Sequence, residues 1–311
     1  MPLHDSDISW QVLRQIVQDW GGASADVAQV MPLEGGCINT TLCVTLTDGR
    51  KCVLKIAVHR VNREFEREAY QLRLLAEQGI PVPRVLAQKT ATLDAPDSYL
   101  LMEFVDGIDL SQARRECEPG AFEALQAELA EIVARLHDRT ADAYSRVTDP
   151  AGPTFSSWPE FYRHVYDPIW NEAEKDQAIP VKLRKQIAKI HDKLPRLIAN
   201  SDPPRLVHWD IWTNNLLVGR NGDGNWHVNA LLDPNCKFAH AEAEIAYMDL
   251  FHTITPSFTK AYSKRHKLGD EYHRLRKPIY QMYPLINHVR LFGHDYIKPL
   301  TTAVERAMRV V

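Results

Sequence analysis

The chain has 311 residues, of which 45% are hydrophobic and 25% charged, with 37 basic against 40 acidic side chains and a formal net charge of -3. That length suits two domains or one large two-lobed unit, and the composition supplies an ordinary globular core. The balanced, interspersed charge gives no support for a nucleic-acid or membrane-surface role. No apolar run approaches a membrane span and no signal pattern opens the chain, so the expected location is cytoplasmic.

Five cysteines, Cys37, Cys43, Cys52, Cys117 and Cys236, stand at scattered spacings with no CxxC pair. They indicate neither a zinc site nor a disulfide framework.

In chain order, apolar residues at Ile8, Val12, Leu13, Ile16, Val17 and Trp20 form a helical stripe that Gly21 and Gly22 stop. Val27 to Leu33 reads as a strand, and Glu34-Gly35-Gly36-Cys37-Ile38-Asn39-Thr40-Thr41 separates it from a second at Leu42 to Leu46. A turn at Thr47 to Arg50 leads into a third, Lys51 to Val58. An antiparallel sheet follows from this order. Gly35 and Gly36 would let backbone amides in its first turn approach phosphates, although two glycines in a hairpin serve equally as a plain turn.

Lys55 lies in the third strand between Leu54 and Ile56, where an unpaired ammonium would be costly; the other reading has it facing solvent on an alternating strand. The next helix carries Val61, Phe65, Ala69, Leu72 and Leu75 as its apolar stripe, with Glu64, Glu66 and Glu68 nearby. Ile80 to Leu86, with Pro81 and Pro83, is an extended connector. The apolar run Ser98 to Val105 ends in Asp106-Gly107, which fits either a hinge strand or a plain buried one.

Beyond Asp109 the patterning is helical. Phe122, Leu125, Leu129, Ile132, Val133 and Leu136 define one long helix ending at His137, which could act as a base, although a lone histidine at a helix end is more often a hydrogen-bonded structural residue. Trp158, Phe161 and Tyr162 belong to a pocket wall or to core. Further helices are expected over Val181 to Leu197, Glu242 to Phe251, Tyr272 to Tyr283 and Leu285 to Phe292.

The chemistry concentrates in Leu206 to Asp233. Asp210 is followed five positions later by Asn215, and Asp233 closes the apolar run that begins at Trp226. Phosphoryl transfer asks for this set: a carboxylate to take the acceptor proton, and an amide and a second carboxylate as hard oxygen ligands for magnesium. Two strand-like runs, Asn215 to Val218 and Trp226 to Leu232, joined by a Gly/Asn-rich turn, are expected to fold Asp233 back beside Asp210 and Asn215.

With these pieces assembled, the sequence resembles the aminoglycoside phosphotransferase-like kinases and, within them, the fructosamine (ketosamine-3) kinases. The resemblance rests on His208-Trp209-Asp210-Ile211-Trp212 with Asn215, on Gly35-Gly36-Cys37-Ile38-Asn39, Arg67-Glu68-Ala69, Pro81-Val82-Pro83 and Leu136-His137, and on the tail from Arg276 to Gly293. It implies an α+β, protein-kinase-like two-lobed fold, with a small, mainly antiparallel β nucleotide-binding lobe over residues 1–104 and a larger helical catalytic lobe over 105–311.

It also implies ATP and Mg2+ as cofactors and a small-molecule hydroxyl acceptor of the amine-linked sugar type. Asp210 is then the base, Asn215 and Asp233 hold magnesium, and Gly35, Gly36 and Lys55 paired with Glu68 serve the phosphates. Glu103 to Val105 becomes the adenine hinge, and Trp209 and Trp212 face the acceptor. An aminoglycoside, amino-sugar or other aminated-alcohol kinase shares all of these residues, and a nucleotide-binding pseudokinase is the rival from another class.

Five departures fall on the acceptor side: Trp209 replaces the family's usual Gly, Ala239, His240 and Ala241 stand where Gly, Asp and Arg are usual, and Glu244 stands for Asp. Cys37, at the tip of the glycine loop, is either a redox-sensitive thiol or an inert small residue.

Overall fold

Alternation along the third strand sets the layout of the first of two compact units, residues 1–107 with 229–234. The computed structural model describes residues 8–33, 40–58, 60–93, 96–148, 151–222 and 224–311. Five antiparallel strands, β1 (Val27–Pro32), β2 (Thr40–Leu46), β3 (Lys51–Ala57), β4 (Val85–Lys89) and β5 (Ser98–Glu103), lie in the order β1-β2-β3-β5-β4.

Side chains along a strand point alternately to the two faces. Cys52, Leu54 and Ile56 join Tyr99 and Leu101 in a core shared with Leu13, Ile16 and Val17 of helix α1 (Trp10–Gly21). On the opposite face Ala57, Leu100 and Met102 pack against Phe65, Ala69 and Leu72 of α2 (Glu64–Glu77). Lys55, two residues from Ala57, belongs by parity to the α2 face. Val61 is exposed and precedes α2, so the helical stripe begins at Phe65 rather than at Val61.

The second unit, residues 108–228 with 235–311, is largely helical. It begins with β6 (Ile108–Asp109), α3 (Leu110–Glu116) and α4 (Pro119–His137), followed by β7 (Ser145–Arg146), α5 (Trp158–Ala173) and α6 (Val181–Leu197). The central stretch forms β8 (Arg205–Val207), β9 (Leu216–Arg220), β10 (Trp226–Leu231) and β11 (Lys237–Ala239). The chain closes with α7 (Ala241–Leu250), α8 (Pro256–Tyr262), α9 (Lys277–Phe292) and α10 (Ile297–Met308). Two small sheets accompany these helices, β10-β9-β6 and β7-β11-β8.

Helix α9 runs unbroken through Pro284, where the sequence suggests two helices. A proline inside a helix costs about 3 kcal/mol, which the near-complete burial of Ile279, Tyr280, Met282, Leu285 and Ile286 against neighbouring helices outweighs. No helix among the described residues is long and apolar enough to cross a membrane.

Three histidines of this unit, His191, His266 and His288, are held below the ordinary imidazole value, in each case chiefly by burial. An unfolded chain would bind protons at these positions where the native state does not, so their contribution is complete above the unfolded value of 6.5 and is lost as pH falls below it. Thermal unfolding should therefore show a falling midpoint between about pH 7 and about pH 5.5, ahead of the carboxylate titrations. A midpoint that holds constant over that interval contradicts this account.

Candidate active site

The functional side chains divide between the two units. In the first, the Lys55 ammonium donates to Glu68 Oε1 at 2.6 Å and to Asp233 Oδ1. The Lys55 and Glu68 side chains are both about 15% exposed, so the pair is shielded from solvent on the α2 face of the sheet and the solvent-facing reading of Lys55 is excluded.

Burial alone would lower the lysine, but the two carboxylates outweigh it and hold the ammonium above its ordinary value. Glu68 is pushed up by burial and by the Asp233 charge against the pull of Lys55. One cation serving two carboxylates accounts for both directions.

Asp233 reaches Lys55 because the backbone around it is tied to the first unit. Leu231 N–H donates to the Pro81 carbonyl at 2.8 Å, and the Asn229 side-chain amide donates to the Asp106 carbonyl at 2.8 Å. Asp233 itself has φ +53°, a left-handed conformation that Asp tolerates better than most residues. At the end of β5 the Glu103 amide donates to the Arg84 carbonyl at 2.9 Å, and Val105 lies just beyond the strand. Gly35, Gly36 and Cys37 lie outside the described residues.

In the second unit, the loop after β8 carries His208, Trp209 and Asp210. The Asp210 carboxylate accepts the Tyr247 hydroxyl at 2.6 Å on Oδ1 and the Asn215 amide at 3.1 Å on Oδ2. Asn215 Nδ2 also donates to the Asp210 carbonyl at 3.0 Å, so its nitrogen is engaged in the loop and its oxygen is the atom available to a cation. Tyr247 is raised by burial and then by Asp210, which keeps it a protonated donor. The carboxylate is thus fixed from two sides.

Trp209 adopts a backbone conformation that favours glycine. Its φ is +70°, in the left-handed region that costs a residue with a Cβ free energy. Glu244 of α7 holds it there by accepting the Trp209 N–H on Oε1, while Glu244 Oε2 lies 2.8 Å from His137 Nε2 and His137 Nδ1 lies 2.7 Å from the Tyr262 hydroxyl. Glu244 and His137 have no exposed side-chain surface.

The Trp209 ring, with Tyr162, Tyr247, Tyr280 and Tyr283, lines a small cavity of about 30 Å³. Lys237 Nζ lies 4.7 Å from the centroid of the same ring. Trp212 is half-buried and is absent from that lining.

His240 is buried, with Nδ1 2.9 Å from the Tyr280 hydroxyl and Nε2 3.0 Å from Asp202 Oδ2. Among the described residues burial raises the thiols of Cys43, Cys117, Cys236 and Cys52, the last to about 12, so none of these is an activated nucleophile. Among the described residues no cluster of three or more His, Cys, Asp or Glu could hold a metal ion.

Sequence reasoning overlooked Tyr247 and Lys237. Neither carries a local signal, since each meets Asp210 or Trp209 only through tertiary packing.

Fold and side chains together describe a phosphotransferase of the protein-kinase-like class. The fructosamine kinase family model matches residues 9–310, and the chain belongs to that family. It is therefore a kinase that uses a nucleotide and phosphorylates a hydroxyl. It is 27% identical to a probable ketoamine kinase of Enterococcus faecium, over 86% of this chain and 91% of that one. It is 26% identical to a chloroplastic protein-ribulosamine 3-kinase of Oryza sativa subsp. japonica, over 93% of this chain and 82% of that one. In fold it is similar to a crystal structure of a fructosamine-3-kinase homologue from Thermobifida fusca, with a TM-score of 0.74 and 24% identity over 96% of this chain and 98% of the other.

Both Trp209→Gly and Trp209→Ala remove the ring, but only glycine relieves the left-handed backbone. The glycine variant is expected to be the more stable of the two by about 1 kcal/mol in urea unfolding. An alanine variant of equal or greater stability would show that the loop carries no strain there.

Proposed function

We propose that the chain transfers the γ-phosphoryl group of ATP to a hydroxyl of an amine-linked sugar of the ketosamine type. Family membership supports the reaction class. The observation that carries the assignment of residues is the Asp210 carboxylate, held on both oxygens by Tyr247 and Asn215.

In this reading Asp210 orients the acceptor hydroxyl and takes its proton as the phosphoryl group moves. Tyr247 and Asn215 keep the carboxylate from turning away. Lys55, aligned by Glu68, neutralises phosphate oxygens, and the Glu103 to Val105 backbone meets the adenine edge. Gly35 and Gly36 are assigned to the phosphates, and Trp209 and Trp212 to the acceptor.

Asn215 and Asp233 suit Mg2+, since both offer hard oxygen donors and Mg2+ characteristically completes its shell with phosphate oxygens and water. The ion supplies neutralisation of charge on the phosphates. The Lys55 contact with Asp233 supports this reading, because it joins the phosphate lysine to one of the two cation ligands within a single unit. A cytoplasmic location accords with ATP as the phosphoryl donor.

Asp210→Asn should retain ATP binding, followed by titration calorimetry, and lose turnover of a fructosamine acceptor by roughly two to four powers of ten. Turnover equal to that of the unaltered enzyme would remove Asp210 from the mechanism.

A further inference from the structure

A guanidinium, that of Arg146, stands opposite the buried Lys237. Strand β11 pairs antiparallel with β7 on one side and β8 on the other, placing Lys237 opposite Arg146 and opposite Val207. Residues directly opposite across antiparallel strands project to the same face.

The two side chains are not equally satisfied. Lys237 is 1% exposed, donates to the Asn235 carbonyl at 2.8 Å and lies over the Trp209 ring. Arg146 is exposed and, among the described residues, makes no hydrogen bond or ion pair with any side chain. The nearby carboxylates are engaged elsewhere: Asp210 by Tyr247 and Asn215, Glu244 by His137 and the Trp209 amide.

The Arg146 charge acts both on Lys237 and on the hydroxyl of Tyr283, a residue of the aromatic cavity wall. A guanidinium with no side-chain partner among the described residues therefore stands opposite Lys237, whose Nζ lies 4.7 Å from the Trp209 ring, with β11 between its strand and β8, the strand that leads to Asp210. Its planar fork of donors matches a carboxylate in two parallel hydrogen bonds.

We infer that Arg146 is a specificity-determining residue that binds a carboxylate of the acceptor, so that the preferred acceptors are ketosamines formed on an amino acid. In such a molecule only a few bonds separate the sugar hydroxyls from the carboxylate of the amine-bearing part. Lys237, whose burial drives its ammonium well below the ordinary lysine value, serves in packing against the Trp209 ring. The inference rests on the acceptor class of the preceding subsection.

The test compares two acceptors of nearly equal size, the fructosamine of glycine and that of glycinamide, by ADP release with saturating ATP. The unaltered enzyme should favour the glycine adduct in kcat/KM by on the order of tenfold or more, through the acceptor KM. Arg146→Gln should abolish that preference and Arg146→Lys should keep part of it.

Equal kcat/KM for the two adducts, a preference that survives in Arg146→Gln, or a change confined to the KM for ATP would each overturn the inference while leaving the ketosamine kinase reading intact. Phosphorylation of neither adduct by the unaltered enzyme would instead remove that reading, and the carboxylate site with it.

Discussion

The buried Glu244 carboxylate is the constraint on which the second unit depends. It has no solvent, so each oxygen must be satisfied within the protein, and each is: one by His137 at the end of α4, the other by the backbone N–H of Trp209. A buried carboxyl oxygen left without its hydrogen-bond partner costs about 1 to 3 kcal/mol. The arrangement therefore links α4, α7 and the loop after β8 into one rigid assembly. Asp210 inherits its position from a neighbour whose backbone the assembly holds in a left-handed conformation.

The first unit solves a related problem with the opposite sign. Lys55 is brought beneath α2 by the parity of its strand, and the cost of burying its ammonium is offset by Glu68 and Asp233 together. A lysine held charged and nearly immobile is suited to receiving phosphate oxygens, because little reorganisation remains when they arrive. The long reach of Asp233 across the sequence depends on two ordinary hydrogen bonds, from Leu231 to Pro81 and from Asn229 to Asp106. Both units thus place charge by burial and pairing rather than by exposure.

Much of this was legible in the residues, and the part that was not has a physical cause. Strand alternation and the glycine turns give the antiparallel sheet, and helical periodicity gives α1, α2 and α4, because those signals are local. The pairing of Lys55 with Glu68 follows the resemblance, and the geometry agrees with it. Tyr247 and Lys237 could not be found in this way: each sits in an otherwise apolar or mixed run and acquires its partner only when α7 and β11 pack beside the loop after β8. Pro284 misleads for a similar reason, since tertiary packing outweighs a local helix-breaking preference. The same packing makes sense of the departures from the family pattern. Trp209 and Glu244 are partners, joined through the Trp209 amide, and His240 enters the aromatic cluster through Tyr280.

The central claim is that this scaffold moves a phosphoryl group onto a sugar hydroxyl instead of merely binding nucleotide. The direct measurement is phosphorus NMR of the enzyme incubated with ATP, Mg2+ and a synthetic fructosamine. A new phosphomonoester resonance coupled to a sugar proton, growing in step with ADP, is the expected result. ADP appearing with only inorganic phosphate, or no ADP at all across a panel of ketosamines, would contradict the account.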